Sequence, residues 1–138
     1  MSNRQAIIYT DGGADPNPGP GAIGVVIEST SGEKLATISQ GIGMTTNNQA
    51  EYRAVIAGLE KALSLGIEEV EVRSDSELMV RQITGRYRVR NAGLKPLYQQ
   101  VVSLTGKFRN FTITHIPREL NTEADRLAGH QAKHGKNG

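Results

Sequence analysis

Ala6-Ile7-Ile8-Tyr9-Thr10, running into Asp11-Gly12-Gly13, is the stretch on which the fold turns. So short an apolar run fits a buried strand, which the glycines are expected to stop. Asp11 then sits just past the carboxyl end of that strand. A second run repeats the arrangement. Glu69 to Arg73 alternates, with Val70 and Val72 on one side, and leads into Ser74-Asp75-Ser76. In open α/β sheets, functional sites form at the carboxyl ends of strands. If these two strands are parallel neighbours, Asp11 and Asp75 converge.

The remaining segments supply the rest of such a sheet. Asp15 to Gly21 holds three prolines and two glycines and reads as a loop. Ala22–Ser29 and Lys34–Gly41, joined at Ser31-Gly32, read as an antiparallel hairpin. Thr45-Thr46-Asn47-Asn48 offers capping residues to a helix over Gln49–Leu65, which Gly66 ends. Glu51, Val55, Leu59 and Ala62 share one face of it. A carboxylate at the first turn of that stripe is unexpected for packing alone. Further helices are expected at Glu77–Thr84, Leu94–Lys107 and Thr122–Lys133, the last capped by Asn121, and a final strand at Phe111–His115. The order β-β-β-α-β-α-α-β-α predicts an α/β domain over 1–133: a mixed five-stranded sheet, antiparallel hairpin plus parallel strands, with helices on both faces. Residues 134–138 read as a frayed tail.

The chain has 138 residues and no cysteine, which excludes disulfides and thiolate metal sites. No apolar run approaches the roughly 20 residues that span a membrane. The opening residues do not resemble a signal peptide. A soluble cytoplasmic monomer, with no obligate protein partner, is therefore expected. Net charge is only +2, yet it is unevenly placed: from Leu78 to Arg118 there is no acid, and eight of the 16 basic residues fall there. A basic block on an otherwise acidic chain suggests an anionic polymer as partner.

Four acids from separate segments stand at element ends: Asp11, Glu51, Asp75 and Asp125. Asp125 shares its helix face with Ala128, Gly129 and Ala132, small residues that would allow a close approach. Each acid alone has an ordinary reading as turn, cap or solvent-facing residue. Together, four converging carboxylates repel one another unless a cation neutralises them or one takes up a proton. Hard oxygen donors favour magnesium or manganese over zinc. Two such ions about 3.5–4 Å apart activate water and stabilise a leaving oxygen in phosphodiester hydrolysis. Glu68, Glu69 and Glu71 are assigned to the surface.

Tyr9-Thr10-Asp11-Gly12-Gly13, Asn17-Pro18-Gly19-Pro20-Gly21, Thr45-Thr46-Asn47-Asn48-Gln49-Ala50-Glu51, Ser74-Asp75-Ser76 and Asn121-Thr122-Glu123-Ala124-Asp125 together resemble ribonuclease H of type 1, in the family's order and over nearly the whole chain. The resemblance implies hydrolysis of the RNA strand of RNA/DNA hybrids, leaving 5′-phosphate and 3′-hydroxyl ends. It implies magnesium ligation by Asp11, Glu51, Asp75 and Asp125, with manganese able to substitute. It also implies minor-groove contacts from Asn17, Asn48 and Gln49, whose amides can bond the 2′-hydroxyls that distinguish RNA. Thr46 and Asn47 resemble residues that hold the strands near the site. For Asn17 and Asn47, turn and cap chemistry stands as the equal alternative.

The chain departs from the family in several places. The segment from Gly85 to Lys95 is too short for the basic helix many bacterial members insert. Arg86, Arg88 and Arg90 are expected to bind the DNA backbone in its place. Glu77 stands where many members carry an amide. There is no Trp, and Tyr87 is the candidate aromatic platform. Many members have a loop histidine before the last acid. Here Arg118 is favoured over His115 as the mobile cation near the scissile phosphate, in an electrostatic role, since an arginine does not deprotonate. A hybrid-binding module without catalysis is the rival reading. A two-lobed ATPase with a related core would need a much longer chain.

Overall fold

The computed structural model describes residues 4–137, and side chains as far as residue 129. β1 (Gln5–Ala14), β2 (Gly19–Ser29) and β3 (Lys34–Thr45) precede α1 (Asn47–Ser64). β4 (Glu69–Ser74), α2 (Glu77–Ile83), α3 (Lys95–Thr105), β5 (Asn110–His115), a short 3-10 turn at Arg118–Leu120 and α4 (Thr122–Asn137) follow. The sheet order is β3-β2-β1-β4-β5. β1 pairs antiparallel with β2 and β2 with β3, whereas β1–β4 and β4–β5 are parallel. The expected mixed five-stranded sheet is thus the one observed.

The helices lie on opposite faces because successive strand residues point opposite ways. A Cβ at Gly58 of α1 would press on Ile8 and Val25, while one at Gly24 would press on Ala124 of α4. The α1 stripe buries Val55, Leu59 and Ala62 completely, against Ile8, Val25, Ile27 and Val72. α3 adds Val101 and Leu104, and the basic segment before it is anchored by buried Val89 and Leu94. Buried Tyr52 donates its hydroxyl to Gln82 Oε1 at 2.6 Å, which ties α1 to α2. Burial pushes the Tyr52 hydroxyl pKa well up. α4 is held to β3 by a Lys34–Glu123 ion pair and by Ser39 Oγ, which donates to Leu127 O at 2.7 Å.

Several expectations are corrected. β1 does not stop at its glycines: Asp11, Gly12, Gly13 and Ala14 pair on with Gly24, Ile23, Ala22 and Gly21 of β2. Gly12 is there for space, since a Cβ on it would stand 2.3 Å from Ala50 O of α1. β2 and β3 likewise extend toward each other, to the pair Gly19–Thr45, so the loop shrinks to Asp15–Pro18. Asn121 is not a side-chain cap: its Nδ2 donates 2.9 Å to Thr10 O and its Oδ1 is buried without a partner among the described residues. α4 runs to Asn137, past the expected end, and Gly138 lies outside the described residues.

Candidate active site

Parallel pairing of β1 with β4 ends at Thr10–Ser74, so Asp11 and Asp75 are the next residues along each chain. Asp11 lies within β1 on its β2 side, while Asp75 follows the end of β4. Glu51 arrives from the first turns of α1, which approaches β1 closely at Gly12. One carboxylate oxygen from each of Asp11, Glu51 and Asp75 lies within 4.8 Å of the others. Asp125 is brought to Asp11 by α4, whose approach depends on Gly24, the residue opposite Asp11 in β2. A Cβ on Gly24 would stand 2.1 Å from Ala124 O and 2.7 Å from Ala128 N. The close contact of α4 is therefore made by Ala124 and Ala128. Gly129, expected to share in it, meets nothing among the described residues where its Cβ would be, and Ala132, expected to do the same, lies outside the described side chains.

The acids line a cleft of about 560 Å³ together with Arg118 and Asn47. Asp11 is pushed up to about 8 by burial first, then by a hydrogen bond with the Asp125 carboxyl and by repulsion from Asp75 and Asp125. The Gly12 backbone opposes the rise. Glu51 is raised well above the carboxylate range by burial and by the charges of Asp11 and Asp75. Its Oε1 is buried with no hydrogen-bond partner among the described residues. An orphaned carboxylate oxygen facing two other acids fits a hard divalent cation. Asp11, Glu51 and Asp75 would hold it, with Asp125 at the edge of the group.

Arg118 borders the same cleft, its Nη2 3.8 Å from Asp125 Oδ1, with the side chain 78% exposed. His115 does not line it. It pairs with Ser74 across β4 and β5 and stands near Glu77. The Glu77 carboxyl is held below its usual range first by Arg81 and least by His115. Glu77 is committed to Arg81, which donates to it from Nε at 2.9 Å and Nη2 at 2.5 Å.

The amide residues have structural partners. Asn47 Oδ1 accepts from Ala14 N at 2.7 Å, and Asn17 Oδ1 accepts from Asn47 N at 3.0 Å, so both lace the loop onto α1. Gln49 is the far half of a capping box: its Oε1 accepts from Thr46 N, while Thr46 Oγ1 accepts from Gln49 N, each at 3.1 Å. Asn48 is exposed at the same helix start. Arg86, Arg88 and Arg90 are exposed and have no ion-pair partner among the described residues. Arg86 and Arg88 line a second hollow of about 610 Å³ with Tyr87, Lys95 and Tyr98. Tyr87 is 48% exposed, with the Arg81 guanidinium 5.4 Å from its ring centroid.

A family model described as reverse transcriptase-like matches residues 9–131. Ribonuclease HI of Halobacterium salinarum is 42% identical over 120 residues, 87% of this chain and 60% of that protein. A bifunctional protein of Mycobacterium tuberculosis is 44% identical over 125 residues, 90% of this chain and 34% of its own length. The chain thus spans about a third of that relative. The solved N-terminal RNase H domain of the mycobacterial protein superimposes with TM-score 0.90 at 43% identity, covering 93% of this chain and 98% of that one. LC11-RNase H1, solved in complex with an RNA/DNA hybrid, gives TM-score 0.90 at 44% identity, covering 95% and 99%. The chain belongs to the ribonuclease H family, type 1.

Proposed function

We propose that this protein is an endoribonuclease that hydrolyses the RNA strand of RNA/DNA hybrids, leaving 5′-phosphate and 3′-hydroxyl ends. The observation that carries the reading is the meeting of Asp11, Glu51 and Asp75 within 4.8 Å, in an open cleft. The relatives named ribonuclease H, and the neighbour solved with a hybrid, support the substrate class.

Asp11, Glu51, Asp75 and Asp125 would hold two divalent cations, with magnesium the first candidate. Bound there, such ions supply an activated water and stabilise the leaving oxygen. The rest falls to the chain's own groups. Glu51, fixed by the close seat of α1 on Gly12, orients its buried oxygen toward the other acids. Arg118, exposed at the cleft rim, stabilises negative charge developing on the phosphate. Asn17 in the loop bonded to α1, with Asn48 and Gln49 at the α1 start, would meet 2′-hydroxyls, and Thr46 and Asn47 would hold the strands near the site. Gln49 has only its Nε2 to offer, because its oxygen is committed to the cap. Arg86, Arg88 and Arg90 meet the DNA backbone, and Tyr87 offers it an aromatic edge.

Labelled RNA/DNA hybrid, RNA duplex and DNA duplex, each incubated with magnesium and with chelator, test the reading. Cleavage of the RNA in the hybrid, with magnesium only, is expected. Binding of the hybrid without cleavage would replace the enzyme with a binding module.

A further inference from the structure

The row of the sheet directly below the acids carries an arginine. Tyr9 precedes Asp11 by two residues within β1, so with a strand period of two they share a sheet face, and Arg73 precedes Asp75, the first residue past β4, by two. Tyr9 and Arg73 are register partners across β1 and β4. Arg73 Nη1 donates to Tyr9 Oη at 2.9 Å, and the guanidinium stands 5.5 Å from the Tyr9 ring centroid. Arg73 Nη2 donates to Glu71 Oε1 at 3.1 Å, and Glu71 Oε2 accepts from Thr114 Oγ1 at 3.1 Å. Glu71 is therefore part of a tether that runs from β1 through β4 to β5, rather than a plain surface acid. Its carboxyl is held below the usual range, chiefly by the Arg73 hydrogen bond.

The tether sits where the sheet needs one. α4 packs on β2, β3 and β1, leaving Glu71, Arg73 and Thr114 to bond to one another on that side of β4 and β5. Backbone pairing of β1 with β4 stops at Thr10–Ser74. Beyond it stand two acids that repel each other, and along β1 the Tyr9–Arg73 row lies about 6.6 Å below Asp11. We propose that Arg73, clamped on Tyr9 and Glu71, is a positioning residue that sets the spread of the Asp11 and Asp75 carboxylates. The guanidinium fork makes both bonds at once, which a lysine ammonium on its flexible stem does not reproduce. This inference rests on the proposed cleavage activity of the site.

A clamp that only held the sheet together would affect stability and nothing else. Gln5 provides the comparison: its Nε2 donates to Glu69 Oε1 at 3.0 Å, bridging the same two strands at the far end of their ladder. The test uses the full chain and the variants Arg73→Lys, Tyr9→Phe, Gln5→Ala and Asp75→Asn. Hybrid cleavage, its magnesium midpoint and thermal melting are measured for each. Arg73→Lys and Tyr9→Phe are expected to lower kcat about tenfold, as small misplacements of reacting groups do, with KM within about twofold. Their magnesium midpoints should rise. Gln5→Ala should lower melting comparably and leave kcat and the midpoint alone. The inference is overturned if Arg73→Lys and Tyr9→Phe keep wild-type kcat and midpoint, or if Gln5→Ala loses as much activity as they do. Asp75→Asn separates the two levels. If it is inactive, such a result removes the clamp alone; if it cleaves normally, the reading of the site falls and the clamp with it.

Discussion

Replacing Asp11 by Asn should stabilise the cation-free protein, by an amount that depends on pH. Asp11 titrates near 8 in the folded chain against an ordinary value of 3.8. Between those values the unfolded chain has released this proton and the folded chain still holds it. The unfolded state binds fewer protons there, so folding stability falls as pH rises from about 4 to about 8. One proton sets a ceiling of about 1.4 kcal/mol per pH unit. At pH 7 the ceiling is about 4 kcal/mol, and partial access of the cleft to water lowers it, so about 2 kcal/mol is expected. Asn is neutral at every pH, so folding at this position no longer requires uptake of a proton. Denaturant unfolding in chelator from pH 5 to pH 9, on both proteins, measures this. The wild type should lose stability up to about pH 8, the variant less over the same span because only the buried Glu51 still resists ionisation there, and saturating magnesium should raise the wild type selectively. Equal stability of the two proteins at every pH, or a wild type that gains stability toward pH 8, would refute the reasoning.

Three other perturbations have clear outcomes. Arg118→Ala should lower kcat on hybrid at least tenfold, or about 1.4 kcal/mol of barrier, with hybrid affinity little changed; an unchanged rate would return the role to His115. Gly24→Ala should cost about 1–3 kcal/mol in unfolding free energy and reduce activity, since the new methyl displaces α4 and Asp125. Unaltered melting would show that α4 is not seated there. Substituting Arg86, Arg88 and Arg90 together by Ala should weaken hybrid binding and flatten its salt dependence by about 0.9 in slope for each phosphate no longer neutralised. A slope equal to wild type would place the hybrid elsewhere.

The sheet was legible in the sequence because its signals are local. Val70 and Val72 alternate before Asp75, which follows directly on the end of β4, and Gly66 ends α1 with φ +79°. What escaped depends on partners distant in the chain. Gly12 and Gly13 look like terminators, yet Gly12 is a ladder residue that makes room for Ala50 of α1. Gly24 lies inside an ordinary strand pattern, and only the seating of α4 against it shows why no side chain stands there. Asn121 has a cap's composition and position, but its amide crosses to Thr10, next to Asp11. Gln49 is the exception, since Thr46 and Gln49 form a local capping-box pattern that claims its oxygen. The Tyr9–Arg73 pairing needs the register of β1 on β4, which neither segment carries alone.

Diffraction from crystals of this protein soaked in manganese, recorded for anomalous signal, addresses the centre of the account. A peak bonded to carboxylate oxygens of residues 11, 51 and 75, and missing from crystals of Asp11→Asn, is the expected result. A map without density there, or with the ion bound only at other acids, would contradict it.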